Sequence, residues 1–587
     1  MAGNPTYQPN IALLAGLVWL VVAGQLLWLD WTSTAMVLGD TDDVMRLVEV
    51  RAFVAGRGWF DLHEPRLQPP LGYDTHWSRL IDAGLAGVFL IFRSFADAAV
   101  AERLMRVVWP LLWIGPAIAG TIAIAWRLGG RAASFVVLLL LVFGLPAFFQ
   151  FKPGRIDHHD IQITLALLTL AAAIWADRVR WAAWVAGALS GLALGIGLEG
   201  MPFIVVAGGT FAARYVLGRD HAAALAQYGL SAAASVAFIF AVSAGPDHWM
   251  RSACDAIAIN LAVPAVLGGL ALGAAGLWIA NERRSVRCIA IAAALGLAAA
   301  AFVLIEPRCL GGPLAMVDPA VRPVWLAHVR EVQSLLSVIH GNDNPMSGYA
   351  IAAYPLTGII AAIVLARDIR LRRDSGFITA AIALIVAIMM TMVAIRASPY
   401  TIWLGVPFVA AVLLRLFDWL KLARLPARVL VTLAFTPAVI SFGAVALIEA
   451  IASQPANINQ RDEACFQIEN YAPLARLPAG LVVSDVDYGP FLLALTPHSV
   501  IAAPYHRLSY GIVASHRAFA SPPAEAREIL RQAKTTYVMT CGVRAPRDLT
   551  EAQRVRSLWA QLAAGAIPDW LEPIPQTGPF AVYRFKP

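Results

Sequence analysis

Charge is what this sequence has least of. Asp, Glu, Lys and Arg make up 14% of its 587 residues, against roughly 25% in soluble domains. Hydrophobic residues make up 59%. A soluble fold could not hide that much apolar surface in one core, whereas a bilayer can. A basic tail, a low-complexity tract and an internal repeat are all missing, which leaves no nucleic-acid-binding arm and no repeat array. Cysteine is also scarce, with five in all. No CxxC or Cys/His zinc pattern occurs. Cys254, Cys288 and Cys309 fall in or near the apolar region, and Cys465 and Cys541 fall in the C-terminal tail. If that tail is periplasmic, the last two form a candidate disulfide.

Long apolar runs are abundant. Runs of spanning length occur near 11–29, 106–126, 133–151, 161–177, 182–197, 200–217, 222–243, 259–280, 288–305, 349–366, 377–395, 401–417 and 429–449, about thirteen in all. The first is too long for a cleaved signal core and reads as a span. The stretch 80–97 is apolar too, but Asp82 and Arg93 would be costly in lipid. It is expected to lie at the interface or to pack against the bundle. With 80–97 left out, Arg127/Arg131, Arg178/Arg180, Arg214/Arg219, Arg283/Arg284/Arg287, Arg367/Arg370/Arg372/Arg373 and Lys421/Arg424 all fall on one side. The excess of positive charge makes that side cytoplasmic. The expectation is a polytopic α-helical membrane protein of the inner (plasma) membrane, with its N-terminus inside. Residues 1–450 form the membrane part, with external loops at 30–105, 152–160 and 306–348. Residues 451–587 form a small soluble periplasmic α/β domain. Within it, Leu481–Ser484, Phe491–Leu495, Thr536–Met539 and Ala581–Phe585 read as strands, and 522–534 as a helix.

The external side holds the unusual chemistry. The first loop contains Asp40-Thr41-Asp42-Asp43-Val44-Met45-Arg46. Three carboxylates so close repel one another unless donors or a cation neutralise them. Oxygen ligation of a metal is one remedy, and a solvated acidic turn is the plain alternative. The second loop reads Gly154-Arg155-Ile156-Asp157-His158-His159. An Asp and a His two residues apart give one oxygen and one nitrogen donor, a set suited to Mn²⁺ or Mg²⁺ with further carboxylates. Arg46 and Arg155 could clamp a phosphate. Glu331 lies in the third loop. Arg396 stands at the outer end of a span, where an arginine either snorkels or binds an anion.

Together these residues resemble the GT-C membrane glycosyltransferases, in particular the oligosaccharyltransferase catalytic subunit and its prokaryotic branch. Asp40 with Arg46 six residues on resembles the family's first-loop pattern. Trp59-Phe60-Asp61 and Pro69-Pro70-Leu71-Gly72 resemble its FD…YPxG stretch, and Gly154–His159 its GxxDHH form. Val329-Arg330-Glu331-Val332-Gln333 is similar to the loop motif that ends near the acceptor. Asp43, Arg46 and Glu49 also fit a D-x-x-R-x-x-E pattern of lipid-A and related GT-C transferases, so either Asp40 or Asp43 could be the catalytic aspartate. The WWDYG acceptor motif is represented by Asp485-Val486-Asp487-Tyr488-Gly489, without its tryptophan pair. The resemblance implies an inverting transfer from a polyprenyl-phosphate or polyprenyl-diphosphate sugar donor to an extracytoplasmic glycan or protein. It implies a divalent cation, Mn²⁺ or Mg²⁺, on Asp40, Asp42, Asp157 and His159. Asp40, Asp43 and Glu331 take catalytic roles. Arg46, Arg155, His158 and Arg396 face the donor phosphate, and Asp487 and Tyr488 the acceptor. The competing class is a lipid-linked saccharide transporter or flippase, for which Glu199 in Gly197-Leu198-Glu199-Gly200 is the tempting intramembrane carboxylate.

Overall fold

The structure is a computed structural model that describes residues 10–341, 345–452, 463–542, 546 and 548–587. Each expected apolar run falls on helical backbone. Among the described residues nine helices are long and apolar enough to cross a membrane, ten if Leu425–Ala434 and Pro437–Ala450, bent by 52°, are one span. The differences from the expected runs have local causes. Two runs merge into the 45-residue helix Ala98–Val142, which is broken at Gly129 and Gly130, the latter at φ 70°. Two others form helices His159–Trp175 and Ala182–Ile196, 17 and 15 residues long. That is short for a hydrocarbon core that needs about 20. The chain is a multi-pass membrane protein in its architecture.

The stretch 80–97 packs against the bundle. Its helix, Arg79–Arg93, lies on helices Thr41–Val54 and Ala98–Val142. Asp82, the costly carboxylate, is fully buried and takes bonds from Arg46 at 2.8 Å and Arg79 at 2.9 Å. A buried charge paired in this way avoids the desolvation cost that lipid would impose.

Several basic loops converge. Arg127 forks onto Asp177 (2.9 and 2.6 Å) and onto Asp374 (3.0 and 2.8 Å). Arg178 stands 3.7 Å from Asp374, and Arg214 reaches Ser375 Oγ at 3.1 Å. Loops assigned to one side by charge therefore meet at one end of the bundle.

Helix Ala182–Ile196 packs on helix Ala222–Ser243 through Gly187, Gly191 and Gly195, spaced four residues apart. A Cβ on Gly191 would sit 2.7 Å from Val236 N. Helix Ile259–Trp278 repeats the device, since a Cβ on Gly276 would sit 2.5 Å from Ala222 O. Small residues let backbones approach where lipid gives no hydrophobic drive.

The C-terminal part builds a sheet. Strands β1 (His63–Glu64) and β2 (Tyr73–Asp74) form a small hairpin in the first loop. Strands β3 (Leu481–Val483), β4 (Ser499–Val500), β5 (Tyr537–Cys541), β6 (Leu571–Ile574) and β7 (Phe580–Phe585) order as β4-β3-β5-β7-β6. The β4-β3-β5 side is parallel and the β5-β7-β6 side antiparallel. The expected strand at Phe491–Leu495 is instead part of a helix, Gly489–Leu495. Pro490 at its start presets helical φ, and a short apolar run does not by itself tell strand from helix. The remaining strand expectations overlap β3, β5 and β7, and the expected helix overlaps Pro523–Gln532.

Two disulfides form. Cys465–Cys541 closes the tail, as the pairing expected. Cys254–Cys309 was not anticipated, and it joins two loops.

Gly191→Leu should lower stability by at least ~2 kcal/mol, because overpacking here meets backbone. A thermal melt in detergent would show the drop, while Gly296→Leu, whose added Cβ meets nothing within 4 Å, should leave Tm unchanged.

Candidate active site

Asp40 begins helix Thr41–Val54 as its N-cap. Its Oδ1 accepts from Asp42 N at 3.0 Å and Asp43 N at 3.2 Å, and Asp43 Oδ2 accepts from Asp40 N at 3.0 Å. This reciprocal capping satisfies donors that a helix start leaves open. Gly39 precedes it at φ 112°, where a Cβ would overlap the Asp43 carboxylate. Asp43 then reaches across to the second loop. Its Oδ1 accepts from Ile156 N at 2.7 Å and Asp157 N at 3.1 Å. Loops more than a hundred residues apart in sequence are thus stapled by one fully buried carboxylate.

The second loop brings Arg155 into the centre. Its guanidinium bonds Asp40 and lies 3.2 Å from Asp43 Oδ2, 2.6 Å from Asp157 Oδ2 and 2.9 Å from Gln150 Oε1. Oxygens of Asp40, Asp43 and Asp157 lie within 4.8 Å of one another. Burial pushes Asp157 up, but Arg155 and the two neighbouring histidines hold it below the usual carboxylate range. Asp42 has no such guanidinium. Burial, then Glu331 and Asp157, push it up to about 7. His158 is driven down to about 3 by burial and by His159, and its buried Nδ1 has no partner among the described residues.

His159 is held from both sides. Its Nε2 lies 3.9 Å from Asp157 Oδ2 and its Nδ1 3.0 Å from Glu199 Oε2. Glu199 comes from the short turn Leu198–Gly200, between two apolar helices. The transport reading had singled it out as a lone carboxylate, but it is the partner of His159. The signal was present in the sequence as an acid between glycines at a helix break. Nothing in the spacing tied it to a histidine forty residues earlier.

These groups open onto a cavity of about 1910 Å³, lined by all three external loops, the Glu199 turn and the C-terminal sheet domain. Asp40, Asp42, His158, His159, Glu331 and Arg396 line it. Arg396 stands at the start of helix Ser398–Trp419, and the third loop is tied there by Ile395 N donating to Gln333 O at 3.0 Å. Arg46 does not line it. It is fully buried, bonded to Asp82 and 3.5 Å from Glu49, with its guanidinium 4.7 Å from the Trp77 ring centroid. Asp487 and Tyr488 lie in the cavity wall. The Tyr488 ring is otherwise buried against Phe466 and Phe580 in the core of the C-terminal domain.

The same cavity carries a second cluster. Asp255 accepts from His506 Nε2 at 2.6 Å and from Arg507 at 2.7 Å on each oxygen. Despite burial, those bonds hold it well below the usual range. His76 lies beside it, its ring 4.9 Å from that of His506, and burial and His506 keep it a free base.

The donor set of the first cluster fits a divalent cation. Asp40, Asp43 and Asp157 each offer an oxygen within 4.8 Å of the others, His159 Nε2 stands 3.9 Å from Asp157 Oδ2, and Asp42 lines the same cavity. Glu199 on the far nitrogen of His159 is the usual outer partner of a metal-binding imidazole. Asp43 Oδ1 accepts from two backbone N–H groups and Oδ2 from a third, so it positions the others while also offering an oxygen beside those of Asp40 and Asp157.

Solved structures of the Archaeoglobus fulgidus oligosaccharyltransferase share this architecture. AglB in complex with an inhibitory peptide and a dolichol-phosphate superposes at TM-score 0.68 and 16% identity, over 97% of this chain and 74% of that one. The chain shares the fold of that archaeal oligosaccharyltransferase. The apo form gives 0.67 at 17% identity over 90% and 69%, and the complex with Zn and sulfate 0.60 at 16% over 91% and 68%. No protein-family model and no curated protein matches the chain.

Divalent binding should weaken as pH falls through about 7, because Asp42 takes up a proton there and loses its charge. The loss approaches about tenfold per pH unit below that point. Calorimetric titration of Mn²⁺ across this range reads it, and Asp42→Asn should flatten the dependence.

Proposed function

We propose that this protein is an inverting, metal-dependent membrane glycosyltransferase. It moves a sugar or oligosaccharide from a polyprenyl-phosphate or polyprenyl-diphosphate donor to an acceptor outside the cytoplasm. The observation that carries the reading is the convergence of Asp40, Asp42, His159 and Arg396 on one cavity, with Asp157 buried behind His159. The dolichol-phosphate complex of the archaeal enzyme supports a lipid-linked donor. The two disulfides support an oxidising compartment for this face. The basic loops at the other end support a cytoplasmic N-terminus in the plasma membrane.

Asp40, Asp42, Asp157 and His159 hold the cation, Mn²⁺ or Mg²⁺. When bound, it supplies Lewis-acid neutralisation of the departing phosphate. Arg155 and the ion compete for the same oxygens. Arg155, which bonds Asp40 and Asp157 here, would face the donor phosphate together with Arg396 and His158. The acceptor attacks the anomeric carbon from the face opposite the phosphate. The new bond forms to that carbon as its bond to the phosphate oxygen breaks. The proton passes to a first-loop carboxylate, and the polyprenyl (di)phosphate leaves with the bonding pair. Glu331 orients the acceptor across the cavity. The lack of a tryptophan pair before Asp487 favours a glycan or lipid-borne acceptor over an Asn-x-Ser/Thr peptide.

Transport is not favoured, because Glu199 is engaged with His159 at the cavity wall. The test is to incubate purified full-length protein with labelled polyprenyl-linked sugars, with Mn²⁺ or with chelator. We expect donor turnover that chelation removes. Asp157→Ala and His159→Ala should each lower it by at least about 100-fold. Sugar translocation into vesicles, with no donor cleavage under any condition, would sink the proposal.

A further inference from the structure

We infer that His76, Asp255 and His506 form a second metal site, for a zinc-class divalent cation, which fastens the C-terminal domain to the external loops. The inference is independent of the transferase reading. Each of the three residues offers a ligand atom within 4.8 Å of the others. They come from three separate segments: the first loop, the loop that follows helix Ala222–Ser243, and the C-terminal domain. Two imidazoles and one carboxylate are a borderline donor set suited to Zn²⁺, which such ligands bind in tetrahedral sites. The carboxylate-dominated first cluster suits harder cations. One cavity thus presents two sites of different ligand softness.

One further observation points to a ligand, and the surroundings are compatible with it. His76 Nδ1 is buried and bonds nothing among the described residues, although a buried nitrogen without a partner is costly. Arg507 forks onto Asp255, Nε to Oδ2 and Nη2 to Oδ1, both at 2.7 Å. Oδ2 also takes His506 Nε2 at 2.6 Å, so Oδ1 is the oxygen that keeps a second lone pair for an ion while Arg507 orients the carboxylate. The backbone beside Asp255 is anchored by the neighbouring Cys254–Cys309 disulfide. The cluster also lies in a wall of the cavity, which leaves a coordination position for water or a ligand group.

The test uses the full-length protein in detergent with its affinity tag removed. Stripped protein is loaded with Zn²⁺ or Co²⁺, and bound metal is counted by mass spectrometry and by the visible absorption of tetrahedral Co²⁺. We expect one tight equivalent of tetrahedral Co²⁺ that persists in Asp157→Asn and is lost in His506→Gln and in His76→Gln. Zinc should raise Tm in wild type and in Asp157→Asn, and leave Tm of His506→Gln unchanged. His506→Cys, which keeps a zinc ligand, should restore binding and add a thiolate-to-cobalt band. Absence of a tetrahedral Co²⁺ spectrum in wild type overturns the inference, as does its retention in both glutamine variants. Loss of the spectrum in Asp157→Asn but not in His506→Gln would assign the ion to the first cluster and likewise overturn it. Failure of the glycosyl-transfer assay leaves these readouts untouched.

Discussion

One buried carboxylate organises the site. Asp43 accepts from Asp40 N, Ile156 N and Asp157 N, and so holds a helix start against a turn that follows a different part of the bundle. Hydrogen bonds from backbone N–H groups to a charge are stronger than neutral ones, and in a site closed to water they have no competitor. The acids beside it cannot spread apart, because their backbones are fixed by this joint. Their mutual repulsion is met instead by Arg155, by His159 and by the capacity for a cation. The reactive geometry follows from a structural bond that takes no part in the chemistry.

The second constraint is the seating of the C-terminal domain. Arg51 donates to Ala494 O at 2.6 Å, Arg66 to Leu493 O at 2.9 Å, and Tyr505 to Thr41 O at 2.8 Å. Tyr505 also stacks on Tyr73 and meets Trp77 edge-on. The apolar core runs without interruption from Val44 and Leu47 of the first loop into β3, β5 and β7. A tail that sequence sets apart as a soluble domain therefore shares its core with the membrane part and forms a wall of the cavity.

Much of this was legible in the residues. Helical runs announce themselves by length and apolarity, and charge asymmetry sorts their ends, so the bundle and its two faces followed directly. The acidic turn and the Asp157–His159 pair stood out because charged residues are rare here, and both lie in the site. What could not be read were partnerships set by packing. Arg46 has the spacing of a phosphate binder, yet Asp82 claims it, and nothing local ties residue 46 to residue 82. Glu199 looked isolated because its partner lies across a helix pair. Asp42 and Asp43 are adjacent and alike in sequence, but helix geometry turns one into the cavity and the other into the joint. Gly187, Gly191 and Gly195 were visible at four-residue spacing, but their partner helix was not.

The turn at 66–68 caps the edge of β4, with Gln68 at φ 58°. Gln68 N donates to Val500 O at 2.8 Å and Val500 N to Arg66 O at 2.9 Å, with Leu67 paired in parallel to Val500. A sheet border of this kind is the usual place for a guest strand to add. Here the protein's own first loop fills it. A polypeptide presented at this side of the sheet finds no free ladder of main-chain groups. Any selectivity the chain has for what it modifies must come from side chains around the cavity, not from strand addition along β4.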